Sequence, residues 1–362
     1  MGELRTLAPA LAGYLAVRVI GLGVLAAWSA HRGQRLSTEL AHRSDAVWYL
    51  NLIRHGYDSG RGQSNMAFFP LYPGLVRLVH LAVPAGIGVI AIAVAWLSAV
   101  AAAAALYKIG AHLRDPRAGV LLAVLWGVLP HAVVESMAYT EALFTALAAW
   151  SLYALLRRRW VTAGVLCLLA GLTRPTAVAL IAVVALTSAI AILRRTEGWR
   201  PWAALVLAPV GWVGYLAWVA QRTGRFDGWF HIQSAGWHMS WDNGAYTASV
   251  LRGMLDKASA LDYYLVAAVL LISIGLLALM MLDRVPWQLT VYSGLVLLSA
   301  VGSEGYFNAK ARFLIPAIGL LIPIAFSLAK TTTAKAVTVV ATLTVISVWC
   351  GGYLLLIWPY SP

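Results

Sequence analysis

Charge is what this 362-residue chain has least of. Asp, Glu, Lys and Arg make up 11% of it, against 61% hydrophobic residues. A water-soluble domain carries roughly 25% charged residues, because only part of a globule can be hidden from solvent. The shortage excludes an ordinary soluble fold and implies that lipid replaces water as the main solvent; the mean hydropathy of +0.78 agrees. Cysteine is also scarce: Cys167 and Cys350 both lie inside apolar runs, so no disulfide framework is indicated. There is no Gly-rich phosphate loop, no Asp-x-Asp metal motif and no repeat of fixed period, which removes the usual nucleotide-binding signatures and repeat architectures. No cleavable signal peptide is evident, since the first apolar run, about 7–29, exceeds an h-region of roughly 7–15 residues.

What is abundant suits a bilayer. The 31 glycines let helices approach closely and the 16 tryptophans anchor at the lipid–water interface. Apolar runs fall near 7–29, 86–107, 118–134, 139–156, 201–220, 263–282, 286–302, 313–329 and 336–358. The stretch 161–193 is interrupted by Thr173-Arg174-Pro175, which favours ending one helix and starting another. Counting it as 161–172 and 176–193 predicts an all-α integral membrane bundle of about eleven spans, a single domain over 1–362. A re-entrant pair is the alternative at that break.

The net charge of +13 reads as topology signal and lipid headgroup contact, with no nucleic acid partner. Lys108, Arg114 and Arg117 fall in one short loop and Arg157, Arg158 and Arg159 in another. Arg194, Arg195 and Arg200 share a third, followed by Arg284 and by Lys330 with Lys335. Alternating spans put all five on the N-terminal side, which the positive-inside rule makes cytoplasmic. The stretches with chemically specific residues then share the outer face: 43–58, 65–74, 131–141, 173–175, 229–246 and 303–312. Two long outer loops, about 30–85 and 221–262, hold most of them, and the pattern predicts one composite site there.

Asp45 opens a segment whose Val47, Leu50 and Ile53 recur at helical spacing, as in an amphipathic helix lying in the interface. It fits either a helix cap or a general base held at the membrane surface. Phe68-Phe69-Pro70-Leu71-Tyr72-Pro73 reads as an aromatic turn, followed by an apolar stripe of Leu71, Leu75, Leu78, Val79 and Ala82. Glu135 and Glu141 flank Tyr139 between two spans. Carboxylates at that depth need a partner, and Arg174 is the candidate, in either a structural salt bridge or a substrate contact. Trp229, His231, Trp237 and His238 lack a zinc-ligand spacing; they suit an aromatic belt or stacking on a sugar or a lipid tail. Lys310 and Arg312 open a later span and fit a phosphate clamp.

Asp45 to Tyr49, Phe68 to Pro73, Tyr139-Thr140-Glu141-Ala142-Leu143-Phe144, Arg174-Pro175 and Lys310 to Pro316 occur in an order that resembles the bacterial PIG-V-like branch of the C-type glycosyltransferases. The resemblance covers most of the chain and implies a plasma-membrane enzyme of GT-C fold that moves mannose, with inversion, from polyprenyl-phosphate mannose to a glycolipid, glycan or protein acceptor. It makes Asp45 the base, although Ser44 stands where the family commonly has Trp. Leaving-group phosphate would be met by Arg174 with Lys310 or Arg312. Trp48, Tyr49, Phe69, Tyr72, Glu135, Tyr139, Glu141, His231, Trp237 and His238 are the expected cavity lining. Neither metal nor cofactor is called for. The rivals are a lipid or lipid-linked-sugar flippase, which favours midplane polar groups and repeats, and a non-catalytic scaffold that binds lipid-linked sugar.

Overall fold

A computed structural model describes residues 2–195 and 197–362. Among the described residues there are seventeen α-helices, and those outside the two long loop regions follow the apolar runs. Helix α1 (Gly2–His31) leads into three shorter helices, α2 (Leu36–His42), α3 (Asp45–His55) and α4 (Leu71–Ala82). Next come α5 (Ile87–Leu113), α6 (Pro116–Trp126), α7 (Glu141–Leu156), α8 (Trp160–Gly171), α9 (Ala177–Leu193) and α10 (Arg200–Thr223). A second irregular region carries α11 (Gly228–His231) and α12 (Ala245–Asp256). The chain finishes with α13 (Leu261–Leu282), α14 (Trp287–Gly302), α15 (Lys310–Phe313), α16 (Ile322–Ala329) and α17 (Thr333–Gly352).

Every expected span contains a helix, although α6 ends at Trp126 inside 118–134 and 313–329 is broken before Ile318, and length alone does not support eleven crossings. Among the described residues, five helices are long and apolar enough to cross a membrane: α1, α5, α10, α13 and α17 with its π-helical extension to Ile357. A sixth crossing is made if Phe307–Phe313 and Ile318–Ala329, bent by 72° at their junction, are counted together. Helices α6 to α9 and α14 have 11 to 17 residues. At 1.5 Å per residue they reach about 17–26 Å, short of a hydrocarbon core of ~30 Å. The missing turns lie mostly at one end, where 132–136 and 173–176 are 3-10 or irregular.

Neighbouring glycines set helix direction. Gly164 packs on Ala204, and Gly171 on Gly211 and Trp212, so α8 and α10 run parallel with α9 returning between them. Gly13 meets Val124 while Gly127 meets Tyr14 and Val17, and Gly21 meets Val348 while Gly352 meets Trp28; α1, α6 and α17 are therefore parallel too. That alternation brings the turns after α2, α6, α8 and α14 to one end. At the other end Arg158 pairs with Glu197 at 2.8 Å, and Arg114 lies over the Phe326 ring. Helices α8 and α9 thus form a hairpin between the two ends.

The first interfacial helix starts where the sequence places it. Its buried face is Ala46, Tyr49, Leu50, Leu52 and Ile53, with Val47 outward. In α4 the protein-facing side is Tyr72, Pro73 and Val76. Leu78, Val79 and Ala82 of the expected stripe, with Leu81 beside them, point away from the protein, as a face resting on lipid would.

Gly211 is required by close approach: a Cβ there would lie 2.0 Å from the Leu168 carbonyl oxygen. Gly275 has no neighbour within 4 Å of such a Cβ. Gly211→Ala is expected to destabilise the protein by about 1–3 kcal/mol through overpacking, whereas Gly275→Ala is neutral or slightly stabilising. Thermal unfolding of both variants in one detergent checks the contrast.

Candidate active site

Four charged side chains from four elements meet at the end of the bundle. Glu141, in the first turn of α7, places Oε1 at 2.6 Å from Nη1 of Arg174 and at 3.3 Å from Nε of Arg312. Arg312 extends Nη2 to Oδ2 of Asp45 at 2.8 Å. Arg174 stands in the break between α8 and α9 and also donates to Thr140 Oγ1 at 3.1 Å, which is within 3.1 Å of the Tyr49 hydroxyl. Two carboxylates face two guanidiniums, so the cluster balances in charge, as burial demands. The Glu141 and Arg312 side chains are 1% and 5% exposed, whereas Asp45 is 26% exposed. Asp45 is therefore the carboxylate that incoming molecules reach.

Asp45 stands in the first turn of α3 and not at its N-cap. Ser44 is the N-cap of α3, and no side chain caps the helix. The Asp45 backbone N–H instead donates to the Tyr139 hydroxyl at 3.2 Å, which lets the carboxylate turn toward Arg312. Ser44 holds a positive φ of 51°, a conformation that costs a non-glycine residue about 1–3 kcal/mol and clusters at functional sites.

Asp45, Arg174 and Arg312 open onto a cavity of about 870 Å³. Of the expected lining residues, Trp48, Tyr49, Phe69, His231 and Trp237 are on its wall. Trp48 stacks on Phe68 with ring centroids 6.0 Å apart and meets Trp237 edge-on at 4.9 Å. Trp237 is fixed by its Nε1–H donating to the Ser64 carbonyl at 3.0 Å. Such wide, rigid rings offer flat faces to a sugar or a lipid chain. The wall also includes Tyr306 and Asn308 of the expected 303–312 stretch, and Trp212, Asp227 and 359–361, which lie outside every stretch the sequence reading singled out.

Other expected residues stand elsewhere. Tyr72 is buried and donates to the Ala91 carbonyl at 2.8 Å. Tyr139 and Glu141 lie behind the wall, supporting Asp45 and Arg312. His238 is exposed with a positive φ of 53° and is not on the cavity wall. Lys310 is fully buried: Nζ donates to the Ala300 carbonyl at 2.7 Å and to the Ser303 carbonyl. It satisfies the carbonyls that end α14 rather than facing the cavity. Glu135 does not pair with Arg174. It accepts from the Tyr14 hydroxyl at 2.9 Å and lies 3.7 Å from Arg18, both on α1. Among the described residues no three His, Cys, Asp or Glu side chains gather as a metal-ligand set.

Glu141 compensates two guanidiniums at once, so Glu141→Ala is expected to cost about 3–5 kcal/mol, the usual result of stripping a buried pair of one partner. Asp45→Asn, at a partly solvated position, is expected to cost less than half of that. Unfolding midpoints in detergent decide between this ranking and its reverse.

No family model matches the chain, and no curated protein matches it. Among solved structures it is similar to ArnT from Cupriavidus metallidurans bound to undecaprenyl phosphate, with a TM-score of 0.56, 16% identity, and coverage of 91% of this chain and 62% of that one. The same protein in the apo state gives a TM-score of 0.55 at 16% identity, covering 90% and 61%. The chain thus spans less than two thirds of ArnT's length. At this identity the likeness carries architecture, and the architecture is that of a multi-pass, all-helical membrane protein of GT-C fold.

Proposed function

We propose that the chain is an inverting glycosyltransferase of the PIG-V-like type, which moves mannose from a polyprenyl-phosphate donor to a hydroxyl of a glycolipid, glycan or protein. The observation that carries this reading is the Asp45 carboxylate, set at the wall of a large aromatic-lined cavity and oriented by Arg312. The undecaprenyl phosphate bound by ArnT supports a lipid-phosphate donor for a chain of the same fold. The positive-inside rule supports an extracytoplasmic site, and a plasma-membrane location is part of the same proposal.

Chemistry follows from the geometry. The acceptor hydroxyl oxygen attacks the anomeric carbon from the side opposite the phosphate, and its proton passes to Asp45. With Oδ2 held by Arg312, Oδ1 is the oxygen left to accept that proton. The bond between the anomeric carbon and the phosphate oxygen breaks, and the electron pair leaves on the polyprenyl phosphate. Arg174, on the cavity wall, stands ready to stabilise that developing charge. Trp48 and Trp237 hold the sugar ring by stacking and exclude water from the anomeric carbon. Metal-independent transfer belongs to the same proposal.

Purified protein supplied with radiolabelled polyprenyl-phosphate mannose and a membrane lipid extract tests it. Asp45→Asn is expected to lose about 10³-fold in transfer, within the range for removal of a general base, while still binding donor. Equal turnover by wild type and variant would remove Asp45 from the mechanism. A chelator is expected to leave transfer unchanged; loss of activity restored by a divalent ion would refute the metal-free step.

A further inference from the structure

The three guanidinium nitrogens of Arg312 face three oxygens, Nε at ion-pair distance without a hydrogen bond, and the oxygen facing Nη1 differs in kind from the other two. Nε faces Glu141 and Nη2 faces Asp45, both carboxylates fixed on helices. Nη1 donates to the hydroxyl of Ser361 at 2.9 Å, a neutral group on a segment that follows the final π-helical turn. The same segment accepts a second bond at its peptide oxygen, from Asn308 Nδ2 to the Ser361 carbonyl at 2.8 Å. The Tyr139 hydroxyl is 3.5 Å from Ser361 Oγ, and the Arg43 guanidinium donates to the Trp358 carbonyl. Pro359, Tyr360 and Ser361 lie along the cavity wall beside Arg312, whereas Tyr360 itself is 65% exposed.

We infer that residues 358–361 form a strap occupying an anion site, and that a phosphate group displaces it to bind Arg312 Nη1 and Asn308 Nδ2. The hydroxyl and the peptide carbonyl of Ser361 offer these two donors only neutral acceptors. A phosphate oxygen makes charge-assisted bonds to the same groups, roughly twice as strong, and Arg is the side chain best shaped for it. Displacement leaves Glu141 and Asp45 in place, so Arg312 orients the carboxylate and receives the phosphate with different edges of one guanidinium. This extends the lipid-phosphate reading above and rests on it for the source of the anion; the site itself is defined by the donors. The Asp45 carboxylate opposes any anion on the shared guanidinium, so Asp45→Asn should bind phosphate more tightly than wild type.

The test follows the strap and the anion together. Cys167 and Cys350 are buried, so a spin label can be directed to Tyr360→Cys in the full chain. Nanodiscs with undecaprenyl phosphate form one arm, and inorganic phosphate in lipid-phosphate-free nanodiscs the other. Undecaprenyl phosphate is expected to mobilise the label. Ser361→Asp, which adds a carboxylate beside Arg312, is expected to weaken its binding by about tenfold, and Ser361→Ala to strengthen it. If inorganic phosphate alone mobilises the label and the lipid does not, the strap site stands and the lipid-linked donor loses its support. If the lipid binds with the label unmoved and Ser361→Ala and Ser361→Asp bind alike, the strap proposal is overturned while the transferase reading survives. Failure of both phosphates to bind wild type and Ser361→Ala overturns the anion site outright.

Discussion

Everything at the candidate site depends on the neutralisation of buried charge. Arg312 and Glu141 are almost wholly removed from solvent, and an isolated ion so placed is prohibitively costly. The fold resolves this by shared contacts: Glu141 serves two arginines, and Arg312 serves two carboxylates. No pair can be relocated without exposing another, so α3, α7, the α8–α9 break and α15 are held in one arrangement. Along this chain of contacts solvent access rises from Glu141 to Asp45. The result is one carboxylate whose orientation is set from behind and whose front is open.

Arg312 reaches that position because its helix is broken. The 72° bend between Phe307–Phe313 and Ile318–Ala329 lets a short helix enter at the end of the bundle with its cation directed inward. Non-helical backbone at such a depth is tolerated where protein covers it or a cavity adjoins it, and both conditions are met. The aromatic walls come from two loop regions distant in sequence, Trp48 and Phe68 from the first and Trp229 and Trp237 from the second. Their edge-to-face contacts unite the loops into one surface.

Much of this was legible in the sequence. Low charge and long apolar runs state the membrane class, and the turns carrying Asp45, Glu141, Arg174 and Arg312 do gather at one end. The Arg174 to Glu141 pair follows from the need of each for a partner. Span lengths were less legible, because apolar composition continues through turns that are not α-helical, as at 127–136. Lys310 misled because a cation beside Arg312 reads as a second clamp, and only three dimensions show it closing the end of α14. Ser361 and Asn308 carry no charge and no motif; their role arises from contacts across 49 and 53 positions. Arg18 was hidden by its surroundings, since a single cation barely alters the hydropathy of a 26-residue apolar helix.

That arginine has a bearing on how the protein is made. Arg18 lies within α1, which leaves the ribosome well before its partners: its nearest charge partner, Glu135, and its hydrogen-bond partner Ser136 come later in the chain, Ser136 at a separation of 118. A lone arginine at the centre of a membrane helix raises the insertion cost by roughly 2.5–3.5 kcal/mol. Until α6 and the turn after it emerge, α1 must be retained by its own apolar residues or sheltered at the insertion machinery. Assembly of this region is therefore ordered in time, with α1 provisionally placed and secured only when α6 and the turn after it arrive.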